Sequence, residues 1–340
     1  MTVSIVLAVL FSALLHAIWN SVVHAVPDRL VGFALIGMVD ALGGAALAAL
    51  AGLPPSGVWR FIAASALVHV AYNLSLMASY QLGEFSQMYP LARGTSPWVV
   101  ALISVVVLDR ELPITELAGV LTVSAGLIGL VLVGGLPGRK DVPAITAALL
   151  TGLMIAGYTV IDGVGVMHTP VLAYTGWLFL LQGPPIAVIA VVRRGRRLVG
   201  AMRVCAVSGV AGGAISLAAY TIVLWAQTSG ALAPIAALRE TSIVFGALIG
   251  AVLLGERLGP RRAIAAAVVL AGVLVSFPTA WPTALPGCYL FLGACPHDDY
   301  QSAADNHSAY AQFDDSVMPE GCLLHASLAI KSLQSLSGHQ

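Results

Sequence analysis

The sequence predicts an all-α integral membrane protein with ten transmembrane helices arranged as two inverted five-helix repeats. Three observations carry that reading. Of 340 residues, 59% are hydrophobic and only 9% charged, with a mean hydropathy of +0.92. A soluble domain is about 25% charged, so this chain cannot cover its surface in water. An ordinary cytosolic enzyme, a nucleic-acid binder and a disordered protein are excluded together. Second, ten apolar stretches have about the 20 residues a spanning helix needs. Third, a segment of the first half returns 146 residues later in the second half.

The spans run 3–25, 30–52, 60–80, 85–108, 114–134, 143–161, 171–192, 204–227, 231–254 and 261–277. The breaks between them are short and carry turn formers or charge: Pro27-Asp28-Arg29, Pro54 to Gly57, Gln81 to Glu84, Asp109-Arg110-Glu111, Gly134 to Asp141, Gly163 to Pro170, Arg193 to Arg197, Ser229-Gly230 and Gly255 to Pro260. No loop is long enough to form a soluble catalytic domain. The first span reads as a retained helix and not a cleaved leader. It has no basic n-region and no small-residue cleavage site, and it carries His16, Trp19 and Asn20. From Pro278 onward Pro, Asp, His, Ser and Asn rise, and residues 279–340 read as a poorly ordered tail. Cys288, Cys295, His297, Asp298 and His307 lie there, at spacings that match no metal pattern.

An offset of 146 aligns RGTSPWVVALISVVVL (93–108) with RETSIVFGALIGAVLL (239–254), identical at eight of sixteen positions. Arg-x-Thr-Ser is not membrane background. The same offset pairs Gln81 with Gln227 and Ala125-Gly126 with Ala271-Gly272. The repeat unit is therefore five helices, residues 1–136 and then 137–278. Five is odd, so the second unit enters the membrane from the opposite side, a recurring transporter design with substrate at the midplane.

PLARGTSPWVVALISVVVLDREL (90–112), AGYTVIDGVGV (156–166), ALRETSIVFGALIGAVLLGERLGPRR (237–262) and LHAIWN (15–20) resemble the ten-helix, EamA-type branch of the drug/metabolite transporter superfamily. The resemblance spans about residues 1–277 and excludes the tail. It implies an exporter or exchanger of small metabolites, with a central cavity between two five-helix halves. It supplies no agreed set of functional residues.

Ionisable residues inside spans are costly and usually face the interior. Arg93 and Arg239 each lie eight residues into a span, about 12 Å deep at ~1.5 Å per residue. That is near the midplane of a core about 30 Å thick. Structural ion pairs with Asp40 or Glu240 are the bland alternative to a role in lining a cavity. Glu240 follows Arg239 directly and points about 100° away, a poor partner for it; Glu240 and Asp40 are both within reach of Arg93 across the interface. His16, Trp19 and Asn20 of the first span, His69, Tyr72 and Asn73 of the third, Tyr89 of the fourth, Tyr158 of the sixth and Tyr220 of the eighth complete the expected substrate-binding set. The Ser, Thr and Tyr stripes also serve interhelical hydrogen bonding. Asp162 either lines the path or reaches headgroups at its helix end. Gly209/Gly213 and Gly246/Gly250 serve either internal packing or a homodimer.

The function expected is a transporter of a small polar or anionic metabolite, working by alternating access in the lipid bilayer with protons as the coupling ion. A lipid-linked head-group flippase is the nearest alternative, ahead of a membrane-embedded enzyme or a non-transporting scaffold. No cofactor or metal is expected, since no HExxH, nucleophile elbow or Asp/Glu/His cluster stands at active-site spacing. Lys occurs only at 140 and 331 against fourteen Arg, a composition that hints at a bacterial inner membrane. Sorting loops alternately puts Arg60 and Arg110 on one side. Arg29, Arg139, Lys140, Arg193, Arg194, Arg196, Arg197, Arg203, Arg257, Arg261 and Arg262 fall on the other. The basic side is expected to be cytoplasmic, which leaves both termini outside. The family resemblance implies both termini inside, and the charge count is preferred here.

Overall fold

The computed structural model describes all residues except 1, 25, 27, 84, 134–138, 196, 254–259 and 277–340. Every regular element among the described residues is a helix: α1 (Val3–His24), α2 (Arg29–Ala51), α3 (Trp59–Leu82), α4 (Phe85–Val106), α5 (Ile114–Val133), α6 (Val142–Gly165), α7 (Val171–Arg194), α8 (Arg197–Gln227), α9 (Leu232–Arg239), α10 (Ser242–Leu253) and α11 (Pro260–Ser276). Long apolar runs leave the backbone no partner but itself in a bilayer, and the helix satisfies it within one segment. Six of these helices are long and apolar enough to cross a membrane, and Ile114–Gly129 and Ala266–Val275 are shorter apolar stretches. Ends are set locally. Asp28 caps α2 by accepting from the Val31 amide. Gly52, Gly195 and Gly230 adopt positive φ where α2, α7 and α8 stop or turn.

Two boundaries differ from the sequence expectation. Helix α8 starts at Arg197, seven residues before the expected span, and its added turns run from Arg197 to Arg203 through the uncharged Leu198 to Met202. The ninth span is two helices, α9 and α10, parted at Glu240 and Thr241. The first unit, Met1–Ala284, holds all the described helices, and the second, Leu285–Gln340, lies outside the described residues. The expected tail and the boundary at 136–137 are likewise outside them.

At the centre α2 packs on α7, flanked by α3 on α6, α1 on α8, α5 on α11, and α4 against α5 and α6. The α2–α7 contact depends on glycine. A Cβ at Gly37 would stand 2.6 Å from the Gly183 carbonyl oxygen, and one at Gly44 would stand 2.7 Å from that of Gly176. Only bare backbones fit this closely. Gly209 and Gly213 press on Leu35 and Val39 of α2, so this pair serves internal packing. Leu7, Phe11, Leu50, Leu67, Val192 and Val207 are exposed on the outer surface, as lipid-facing residues would be.

Candidate functional site: a polar cavity at a broken helix

The break at Glu240 and Thr241 has a local cause. The amides of Glu240, Thr241 and Ile243 bond three residues back, to Ala237, Leu238 and Glu240, at 3.0–3.2 Å. The Thr241 hydroxyl also donates to the Leu238 carbonyl at 2.7 Å, a side-chain bond that competes with the helix ladder. The Arg239 carbonyl thereby loses its helical donor, the Ile243 amide. It accepts instead from Arg93 Nη2 at 3.3 Å. The same nitrogen donates to Ser242 Oγ at 3.1 Å, and Arg93 Nε pairs with Glu240 Oε2 at 2.9 Å. One guanidinium from α4 is thus held by a backbone carbonyl and two side chains of the interrupted α9–α10 segment. In α4, Pro97 has no amide for the Arg93 carbonyl, so that carbonyl also lacks its helical donor.

Arg239 behaves differently. It is buried, lines a cavity, and has no carboxylate partner among the described residues. Its Cζ lies 5.7 Å over the Tyr220 ring. The cavity wall continues through stacked aromatics. His69 lies 3.9 Å from Tyr158 and 5.4 Å from Tyr220, centroid to centroid, and Tyr72 meets Tyr158 edge-on at 5.6 Å. His16 accepts from Trp19 Nε1 at 3.2 Å. His69 is fixed by the Ser65 hydroxyl and carbonyl at 3.1 and 3.0 Å.

Ten of the thirteen expected residues line this one cavity: His16, Trp19, Asp40, His69, Tyr72, Asn73, Arg93, Tyr158, Tyr220 and Arg239. Three are outside its lining. Glu240 stands behind it on Arg93. Asn20 turns its amide to the His16 carbonyl at 2.8 Å. The Tyr89 ring lies 6.0 Å from the Arg93 Cζ. Asp40 pairs with neither arginine, contrary to one alternative the sequence left open.

Sequence reasoning missed Gln182, Phe179 and Ile186 of α7, which also line the cavity. Gln182 was detectable as an uncharged polar residue midway along an apolar span. Asp162 is fully buried rather than at a headgroup, because α6 runs on to Gly165. Its carboxylate accepts from Tyr174 at 2.8 Å and from the cavity residue Tyr220. The lining draws on the middle and later part of α1, the earlier half of α2, the middle of α3 and α7 and the later half of α6 and α8. Beyond the ends of α4, α6 and α8, Arg110 donates to the Gly230 carbonyl and reaches Met167 Sδ at 3.8 Å, tying three connections together.

Residues 142–277 match the model of the EamA-like transporter family, consistent with the drug/metabolite transporter superfamily. No curated protein sequence matches the chain. A solved structure titled "Crystal structure of protein" superposes with a TM-score of 0.64 at 18% identity, covering 82% of this chain and 97% of that one. That likeness concerns the fold. The family match and the long apolar helices together support a multi-pass membrane protein of the transporter kind.

Proposed function

We propose that the chain exports or exchanges a small polar or anionic metabolite by alternating access, in a bacterial inner membrane. The observation that carries this reading is the unpaired Arg239 facing a cavity at a broken helix. Irregular backbone at membrane depth is tolerated where it is buried in protein or lines a cavity, and discontinuous helices mark transporter sites. EamA-like relatives are transporters, which argues against an enzyme.

Packing supports two inverted repeats, residues 1–136 and 137–278. If each helix is exchanged for the one five spans away, α3 on α6 becomes α8 on α1. Likewise α4 on α6 becomes α9 and α10 on α1, while α2 on α7 and α5 on α11 map onto themselves. All of these contacts occur. Gly37 and Gly183, which touch, are 146 residues apart, as are Arg93 and Arg239.

An anion in the cavity finds Arg239 without a carboxylate partner among the described residues. Were it then to displace Glu240 from Arg93, the freed acid would take a proton, and transport would be coupled to the proton gradient. The test is counterflow in proteoliposomes, using anionic metabolites chosen by a resistance screen on overexpression. Glu240→Gln is expected to keep exchange running and to remove its pH dependence. Undiminished transport in Arg239→Gln would overturn the site. Orientation is tested separately: alkaline phosphatase fused after Ala280 is expected to be active, and a fluorescent cytosolic reporter there dark.

A further inference from the structure

The cavity holds two buried acceptors that nothing in the described protein satisfies. Asp40 on α2 is 7% exposed and Gln182 on α7 is 8% exposed. Asp40 Oδ1 and Gln182 Oε1 have no hydrogen-bond partner, and both residues line the cavity. Their placement follows from the glycine contact. Asp40 lies three residues after Gly37 and four before Gly44, on the stripe of α2 that meets α7. Gln182 precedes Gly183, whose notional Cβ would stand 3.1 Å from the Ala41 Cβ and amide nitrogen. Asp40 and Gln182 are the chain neighbours of Ala41 and Gly183, so the two acceptors flank one close helix contact. Glycine at 37 and 183 lets the two backbones close there, which brings the segments carrying Asp40 and Gln182 together.

An unpaired buried carboxylate is costly, and so is an unpaired buried amide oxygen. Neither atom is satisfied by the other in this structure. Both call for a ligand that brings positive charge or donors. The basic groups of the cavity, Arg93 and Arg239, project from α4 and α9 and do not pair with Asp40.

We infer that Asp40 and Gln182 form a subsite for a small monovalent cation, distinct from the anion site at Arg239. The cation is either a free alkali ion or a primary ammonium carried by the cargo. Both have the chemistry that two oxygen acceptors at a bare backbone contact would hold. The inference adds to the proposed transport function and does not depend on Arg239 binding an anion.

The test uses the full chain purified in detergent. Thermal unfolding is followed with sodium, potassium or methylammonium chloride, against N-methylglucamine chloride at matched ionic strength. At least one of the three cations is expected to raise the unfolding temperature in a saturable way. Asp40→Asn is expected to weaken that response about tenfold or more, and Gln182→Met about threefold, the loss of one acceptor. A response to alkali ions alone identifies a free coupled ion; a response to methylammonium alone identifies an amine of the cargo. Should Asp40→Asn fail to fold, Gln182→Met and direct calorimetric titration of the wild type carry the test. Absence of any cation effect beyond N-methylglucamine overturns the subsite, as does an effect of undiminished affinity in both variants. Anion transport that proved independent of Arg239 would leave the cation response of the wild type untouched, so the two readings fail separately.

Discussion

Around Arg93 an ion pair joins α4 to α9–α10; around Arg239, the aligned arginine 146 residues later, no carboxylate among the described residues answers. The aligned neighbours explain the difference. Glu240 follows Arg239 and reaches across to Arg93. The residue aligned with Glu240 is Gly94, where a Cβ would already stand 2.8 Å from the Leu127 Cβ of α5. No acid fits there to return the contact. The carbonyls of both arginines lose their helical donors, one through Pro97 and the other through the turn at 240–241. Of the two aligned arginines, one is thus a fastener and the other an open charge. Equivalence in sequence marked both positions as important and did not say that they divide the work.

The largest expected effect breaks this comparison at its open end. Arg239→Gln is expected to lower transport by about thirtyfold or more, the ~2–5 kcal/mol of a desolvated charge contact, at near-normal membrane level. Uptake into proteoliposomes, normalised to inserted protein, checks it. Arg93→Gln is expected to act on the protein itself. It leaves Glu240 buried without its partner, a loss of about 3–5 kcal/mol. Unfolding in detergent is expected to shift accordingly, with much of the loss recovered when Glu240→Gln is added. If Arg93→Gln stays stable and loses only transport, Arg93 belongs with Arg239 as a binding residue.

How much of this was legible depended on what fixes each feature. Apolar length marked the helices, six of them long and apolar enough among the described residues to cross a membrane, and depth plus repetition picked out Arg93 and Arg239. The break in the ninth span was hidden, since residues 239–243 contain neither Pro nor Gly. It is made by the Thr241 hydroxyl and by Arg93 arriving from α4, and a local pattern cannot report a distant guanidinium. Asp162 stayed open between the path and the headgroups because its partners, Tyr174 and Tyr220, come from α7 and α8. The pairing of Gly37 with Gly183 was hidden too, because glycine is common in membrane helices and its meaning here lies in the helix opposite.

That glycine contact allows a smaller test at the seam between the halves. Gly183→Ala places a methyl against the Gly37 carbonyl and the Ala41 side chain. Overpacking of this kind costs about 1–3 kcal/mol. The unfolding temperature in detergent is expected to fall, whereas Gly246→Ala, whose added methyl meets nothing within 4 Å, is expected to leave it unchanged. Equal responses would mean that the α2–α7 backbones do not need to touch.

The smallest expected effect compares two aligned serines. Ser242 accepts from Arg93 Nη2 at 3.1 Å. Ser96, its counterpart 146 residues earlier, makes no hydrogen bond to Arg239 among the described residues, although it is buried. Ser242→Ala removes one contact of a guanidinium that keeps Glu240 and the Arg239 carbonyl. The loss is therefore expected to be about 1.5 kcal/mol, the low end for a bond to a charged group. Ser96→Ala removes no such contact and is expected to change stability by less than about 0.5 kcal/mol. The measurement is chemical or thermal unfolding of both variants alone and combined with Arg93→Gln. The effect of Ser242→Ala is expected to shrink in the Arg93→Gln background, because the two share one interaction, with the remainder coming from the hydrogen bond between Ser242 and Tyr89. Persistence of the full loss there would mean that Ser242 stabilises the start of α10 for its own sake. Equal losses from Ser96→Ala and Ser242→Ala would restore symmetry between the halves and remove the distinction between a fastening arginine and an open one.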